Sequence, residues 1–234
     1  MRKARGGKKV KVREKSKRET SREYALSVLK DNIINLDLKP GTLISENIMA
    51  SELGLSRTPV REALSELANI GIVEVFPQRG SRISLIDYEM IDETYFMRNL
   101  LECGVVEVVC QMADDRDITA LEENLRIQNE YCVNKNPEGL FHADNEFHKL
   151  LFQIAKKIRC YEFVRNFSLH FDRLRVLKVL ARIGADKIVE DHGAILNAIK
   201  ERDSDKAVFH MRQHLRQYEQ ESQELFNKFP EYFK

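Results

Sequence analysis

Apolar residues recur every three or four positions along most of this chain, and the one interruption is a short stretch where they alternate. The segment SREYALSVLKDNIINLDL places Tyr24, Val28, Ile33 and Leu36 near one helical face, with Ala25 and Leu29 beside them. Ser21 is the expected N-cap, and KPG at 39–41 ends the segment. SENIMASELG reads as a short helix between Ser45 and Gly54. In SRTPVREALSELANIG, Ser56 is placed to cap, Pro59 falls in the first turn where proline is tolerated, and Gly71 stops the helix. Its inner face is Val60, Ala63, Leu64, Leu67 and Ala68. After Gly71 the period shortens to two, and IVEVF and RISLI flank PQRG as two strands of a hairpin. Helix, helix, turn, helix, hairpin is the order of a winged helix-turn-helix, which the pattern predicts over residues 21–86.

From residue 87 onward the spacing is helical throughout. Helices are predicted near 88–112, 116–133, 137–156, 159–181, 185–201 and 204–227, with breaks at DDRD, NKNPEG, KKIR, IGAD and RDSD. The expected fold is mainly α: three helices with a two-stranded wing, then an all-α antiparallel bundle of about six helices over 87–234. No run of about 18 apolar residues is present, so no membrane helix is expected. The basic N-terminus is not followed by an apolar segment, which argues against a secretory signal. Cys103, Cys110, Cys132 and Cys160 form no C-x-x-C pair and read as reduced cysteines of a cytoplasmic protein.

Charge divides the chain where the pattern does. Residues 1–86 hold 17 Lys/Arg against 10 Asp/Glu, and the remainder 21 against 27, so a net charge of +1 hides a basic front and an acidic back. A basic domain favours nucleic acid through phosphate attraction. The first 18 residues carry ten Lys/Arg and one Glu, and 1–20 is expected to be a disordered arm.

A helix-turn-helix protein puts the start of its second helix into the major groove. Ser56 and Thr58 offer hydroxyl donors there. Arg57 and Arg61, four apart, point away from the apolar stripe, and an Arg fork pairs with guanine or clamps phosphate. At the wing tip Arg79 sits beside Gly80, where the chain can turn tightly. LSRTPVREALSELANIGIVEVFPQRG closely resembles the signature of the GntR family of bacterial transcription regulators. That resemblance implies double-stranded operator DNA as a partner, contacted by Ser56, Arg57, Thr58, Arg61 and Gly80. Where many members carry an arginine in the preceding helix (ERELA), this chain has Asn47 (ENIMA).

The helical half contains misplaced polar residues. With Phe147 at zero and about 100° per residue, Leu140, Leu151 and Ile154 fall within about 40°. Asp144 and His148 fall at about 60° and 100°, on the edge of that apolar stripe, while His142 lies on the far side. His192 lies on the row of Ile188, Ile195 and Ile199; His214 is more inward than His210; His170 shares a stripe with Phe163, Phe167 and Leu174. Neutral imidazoles with one carboxylate suit a borderline divalent ion. Spacing alone leaves open whether these helices meet. RNLLE at 98–102, DNEFH at 144–148, EDH ending at His192 and MRQHL around His214 resemble the FCD domain of the FadR-like branch of GntR regulators. The resemblance implies Asp144, His148, His192 and His214 as ligands of a metal, with Zn2+ first and Ni2+ or Mn2+ as alternatives. After the DNEFH helix, AKKIR puts Lys157 where the family often has asparagine.

Four protein ligands leave an octahedral ion two open positions that a carboxylate could fill. The family's effectors are commonly small carboxylic acids, and Arg98 resembles the arginine that pairs with them. A salt bridge to Glu102 at i+4 is the alternative role for Arg98. Arg175 and His170 are further pocket candidates. The expectation is a repressor that binds a palindromic operator as a homodimer and releases or alters DNA binding when a small carboxylate binds the metal-containing pocket. In an alternative, the metal ion is itself the effector. Such a site could also activate water for hydrolysis, but neither H-E-x-x-H nor a nucleophile motif is present, and no enzyme is expected.

Overall fold

A computed structural model describes residues 10–76, 79–181 and 185–234, apart from the side chains of residues 185 and 218–221. The chain forms two compact units, residues 1–87 with 229–234, and residues 88–228.

In the first unit, α1 (Ser21–Ile34) is capped by Thr20 rather than Ser21. Thr20 accepts from Glu23 N while the Glu23 side chain accepts from Thr20 N, a reciprocal capping box that Ser21 cannot form. The two-residue strand β1 (Leu43–Ile44) leads into α2 (Glu46–Leu53). Gly54 at φ 65° ends α2, and α3 (Arg57–Asn69) follows. Strands β2 (Val73–Phe76) and β3 (Gly80–Ile83) form the predicted hairpin, but β1 adds to the outer edge of β3. The wing is therefore a three-stranded antiparallel sheet in the order β1-β3-β2, not two-stranded.

Two boundaries also differ from expectation. Residues 10–20 of the expected disordered arm are packed on this unit. Val10 is buried, with its N–H donated to Glu52 Oε2 at 2.9 Å. Lys11 exchanges two hydrogen bonds with the buried Asn32, and Tyr24 Oη donates to Arg13 O. Residues 1–9 lie outside the described residues. At the other terminus, residues 229–234 return to this unit rather than the helical one. Ile86 N donates to Tyr232 O and Lys234 N to Ile86 O, and Tyr232 and Phe233 are buried there.

The second unit is all helical: α4 (Tyr88–Met112), α5 (Asp115–Val133), α6 (Pro137–Ile154), α7 (Ile158–Phe167), α8 (Leu169–Leu180), α9 (Ala185–Lys200), α10 (Ser204–Arg216) and α11 (Tyr218–Lys228). Two expected helices are each split. The first breaks at Ser168, which stands between α7 and α8 and whose hydroxyl donates to Val164 O. The second breaks at Gln217, whose side-chain amide reaches Asp191 on α9. Asp114, Asn136 and Asp203 cap α5, α6 and α10. The core joins Val106 and Val109 of α4 with Leu121, Phe147, Leu151, Ile195, Ile199 and Met211. Helix α4 packs against α10, and α5 against α6 and α9. That packing brings the inward faces of α6, α9 and α10 together.

Candidate metal centre beside an arginine-lined cavity

Asp144 and His148 project from successive turns of α6, His192 from α9 and His214 from α10. One ligand atom from each lies within 4.8 Å of all the others. Asp144, His148 and His192 are buried, and the His214 side chain is 9% exposed. His142 is exposed, as its helical phase predicts.

The hydrogen-bond network fixes which nitrogen faces inward. Ala143 O can only accept, so Asn124 Nδ2 donates to it at 3.0 Å. Asn124 Oδ1 then accepts from Gln128 Nε2 at 2.6 Å. That leaves Gln128 Oε1 to accept from His192 Nδ1–H at 2.8 Å. The other two imidazoles have a carboxylate near the same nitrogen, though not in aligned hydrogen-bond geometry: His148 Nδ1 lies 2.6 Å from Glu102 Oε2, and His214 Nδ1 lies 3.4 Å from Asp191 Oδ2. With Nδ1 protonated, each neutral ring carries its lone pair on Nε2. The three Nε2 atoms converge, with His192 3.2 Å and His148 3.3 Å from His214. Asp144 Oδ1 lies 4.0 Å from His192 Nε2.

Three lone pairs aimed at one another repel unless a cation lies between them. Zn–N bonds of about 2.1 Å put neighbouring ligand nitrogens roughly 3.0–3.4 Å apart, for angles between octahedral and tetrahedral. The two separations from His214 Nε2 fall in that range, while Asp144 Oδ1 stands wider, at 4.0 Å from His192 Nε2. Burial holds His148, His192 and His214 below the usual imidazole range, His214 at about 4, so the rings stay neutral and available as ligands. Burial would raise the Glu102 carboxyl, but the adjacent Arg98 guanidinium outweighs it and keeps the group ionised. The donor set fits a divalent ion, and its outward nitrogens have the acceptors that metal-bound histidines use. Phe147 stacks on His192 at 4.1 Å and holds the ring plane.

A small cavity of about 50 Å³, partly open to solvent, adjoins the cluster. Asp144, Arg98, Arg175 and Lys178 supply its charged lining, with the neutral His214 beside them, and Phe141, Phe171 and Leu174 are among its apolar walls. Arg98 Nε donates to Glu102 Oε1 at 2.6 Å, so the i+4 salt bridge forms even though the residue lines the cavity. Its guanidinium lies 5.0 Å from the Phe171 ring centroid. Arg175 pairs with Asp144 Oδ2, and its Nη1 donates to Asn145 Oδ1 at 2.8 Å and Asp172 Oδ1 at 3.2 Å. His170 is buried on α8 but is not among the residues lining this cavity, so it does not join Arg98 and Arg175 there.

The sequence predicts no role behind the imidazoles for Glu102, Gln128 and Asp191; Glu102 enters there only as the salt-bridge partner of Arg98. Gln128 and Asn124 carried a signal: they share the buried face of α5 with Leu121 at i, i+3 and i+7, where polar residues need a reason. Lys178, a third cation in the lining, lay on an apolar stretch of α8.

In the first unit, Ser56, Arg57, Thr58 and Arg61 are all exposed at the start of α3. Ser56 occupies the N-cap position but makes no capping bond with its side chain, so its hydroxyl is not used there. Arg57 Nη2 lies 3.5 Å from Glu46 Oε2. Arg79 is exposed at the wing, and Gly80 adopts φ 97°. A Cβ at Gly80 would lie 3.0 Å from Ile44 O of β1, so glycine permits the close approach of these strands. Asn47 is exposed on α2.

These features define a winged helix-turn-helix protein with an all-helical C-terminal domain. The model of bacterial regulatory proteins of the gntR family matches residues 24–83, and the FCD domain model matches 93–217. The chain belongs to the gntR family and carries an FCD domain: it is a transcription regulator. It is 30% identical to the HTH-type transcriptional repressor RspR of Escherichia coli, over 86% of this chain and 91% of that one. It is 27% identical to the gluconate operon transcriptional repressor of Bacillus licheniformis, over 76% and 74%. Among solved structures, E. coli McbR/YncC shares the fold with a TM-score of 0.74 and 20% identity, covering 90% of this chain and 99% of that one. No described helix is long and apolar enough to cross a membrane.

Proposed function

We propose that this regulator is a homodimeric, cytoplasmic repressor that binds a palindromic operator and changes its DNA affinity when a small carboxylate enters the cavity beside a metal ion. Asp144, His148, His192 and His214 hold the ion, with Zn2+ first among candidates and Ni2+ or Mn2+ as alternatives. When bound, the ion supplies a Lewis-acidic centre for a carboxylate oxygen. Arg175 and Arg98 offer the opposite charge at the same cavity. Ser56, Arg57, Thr58, Arg61 and Arg79 meet the DNA, and Gly80 shapes the wing.

The convergence of three Nε2 atoms backed by three acceptors, opening onto a cavity with arginines, carries this reading. The repressors among the relatives support the sign of regulation. The test measures operator affinity by fluorescence anisotropy for apo protein, metal-loaded protein, and metal-loaded protein with carboxylates chosen by thermal shift. A carboxylate that changes affinity only with metal present supports the proposal. A shift from metal alone identifies the ion as the effector. Operator affinity indifferent to both refutes ligand control.

A further inference from the structure

The cavity beside the metal centre is closed on one side by the last helix of the chain. Leu225 of α11 is fully buried and lines it, as does Gln217 just before that helix. The other walls come from α4, α6, α8, α9 and α10. Among the described residues, α11 adds none to the hydrophobic core that joins those helices, so it is the wall that core packing anchors least. At about 50 Å³ the cavity takes only a few water molecules, since each needs roughly 10–15 Å³. A carboxylate of more than a few heavy atoms therefore enters only if a wall yields.

Helix α11 also stands at both points where the chain passes between its two units. One passage is 87–88. Directly after it, within the helical unit, Tyr88 Oη donates to Ser222 O of α11 at 2.7 Å, and the Tyr88 ring centroid lies 6.2 Å from that of Phe226. The other passage is 228–229. Beyond it, within the first unit, Ile86 N donates to Tyr232 O at 2.7 Å and Lys234 N to Ile86 O at 3.1 Å. Lys234 Nζ pairs with Asp87 Oδ2 at 2.8 Å, and Lys39 Nζ lies 5.7 Å from the Tyr232 ring centroid. Ile86 follows closely on β3, the wing strand that begins at Gly80. No slack separates the two ends: α11 runs to Lys228, and the 3-10 turn Pro230–Tyr232 follows with Phe229 alone between them. Residues 218–234 lie beyond both matched family segments.

We propose that α11 and residues 229–234 form a strap that carries occupancy of the cavity to the DNA-binding unit. A ligand that enlarges the cavity displaces Leu225 and with it α11. The strap then shifts Ile86 at the root of the wing, and operator affinity changes. The ligand acts by favouring the displaced position of α11 over the packed one. This rests on the cavity being the effector site, as proposed above, and adds the element through which that site acts.

The test needs no effector. Leu225→Trp fills the cavity from the α11 side in place of a ligand, and fluorescence anisotropy reads the affinity for operator DNA obtained by in vitro selection with this protein. Couplings between sites are about 5–150-fold, so Leu225→Trp should weaken operator binding at least fivefold. Inserting Gly-Ser-Gly-Ser between Lys228 and Phe229 gives the strap roughly 13 Å of slack, at about 3.3 Å per residue, and leaves α11 and the buried Tyr232 and Phe233 intact. In that background Leu225→Trp should change operator affinity by less than about twofold, the scatter of independent sites. Hydrogen exchange gives a second reading: the Ile86 and Lys234 amides should exchange about fivefold faster in Leu225→Trp and return to the wild-type rate when the insertion is added. Leu225→Phe, a smaller addition, serves if circular dichroism shows the Trp variant unfolded. An equal effect of Leu225→Trp with and without the insertion would overturn the strap, and so would an operator affinity that Leu225→Trp leaves unchanged. Neither result involves an effector, so the ligand reading of the cavity is decided separately by the metal and carboxylate titrations.

Discussion

Replacing Gln128 tests whether the residues behind the imidazoles set metal affinity. Gln128 is fully buried, accepts from His192 Nδ1–H and donates to Asn124 Oδ1. Gln128→Leu keeps the volume and removes both bonds. His192 Nδ1–H then has no acceptor there, and Asn124 Oδ1 has lost its donor. A buried polar group left unpaired costs about 1–3 kcal/mol, so the apo protein should lose about 2–3 kcal/mol in urea unfolding. Metal affinity should fall about 10–100-fold, the usual effect of losing a partner behind a ligand, or about 1.4–2.7 kcal/mol. Competition with a chromogenic chelator measures it directly. Gln128→Glu retains an acceptor for His192 and makes the ring a stronger base, so its metal affinity should stay within about tenfold of wild type even though the bond to Asn124 is lost. If folded Gln128→Leu protein binds metal within twofold of wild type, the tautomer chain from Ala143 O to His192 does not control the site.

Three further outcomes follow from the same geometry. Arg175→Met should weaken carboxylate binding at least tenfold by calorimetry while metal stays bound, because Arg175 lines the cavity without ligating; equal affinity would remove it from the effector site. Gly80→Ala should cost about 1–3 kcal/mol in denaturant unfolding of the first unit, since it pairs a positive φ with a close backbone contact; no loss would mean the wing can shift. Arg57→Ala with Arg61→Ala should weaken operator binding and flatten its salt dependence without lowering the melting temperature, because both side chains are exposed; an unchanged salt slope would place the phosphate contacts elsewhere.

Residue spacing carried the two-domain order because each element buries a stripe or a strand face, and burial leaves a period. It failed where an element ends without a change of period. Phe163, Phe167, Leu174 and Leu177 continue one apolar rhythm across Ser168, so the spacing carries no sign of the break there. β1 is two residues long, too short to alternate, and exists only because β3 offers it an edge. The composition of residues 10–20 reads as disordered, yet one buried amide, Asn32, exchanging two bonds with Lys11 holds them. At the site, phase separated Asp144 and His148 from His142, because helix geometry is local. Which three helices converge is a tertiary fact, and so are the partners on α4 and α5 that orient the rings.

Asp144 links the proposed ion to the proposed effector. One of its oxygens faces His192 Nε2 at 4.0 Å, and the other pairs with Arg175. A single carboxylate thus stands between the histidine cluster and a guanidinium that lines the cavity. On the proposed reading, a carboxylate entering the cavity pairs with Arg175 and withdraws that charge from Asp144, which then has more negative charge to offer the ion. The ion in turn gives the entering carboxylate a second cation. Each ligand should therefore tighten the other. Thermodynamic linkage requires the two factors to be equal, and couplings of this kind are about 5–150-fold, or 1–3 kcal/mol. Metal affinity measured with and without saturating carboxylate, and carboxylate affinity measured with and without metal, should change by the same factor. Asp144→Asn retains a contact for Arg175 but loses the charge, and it should reduce that factor toward one. If carboxylate binding leaves metal affinity unchanged in the wild type, Asp144 does not couple the two sites.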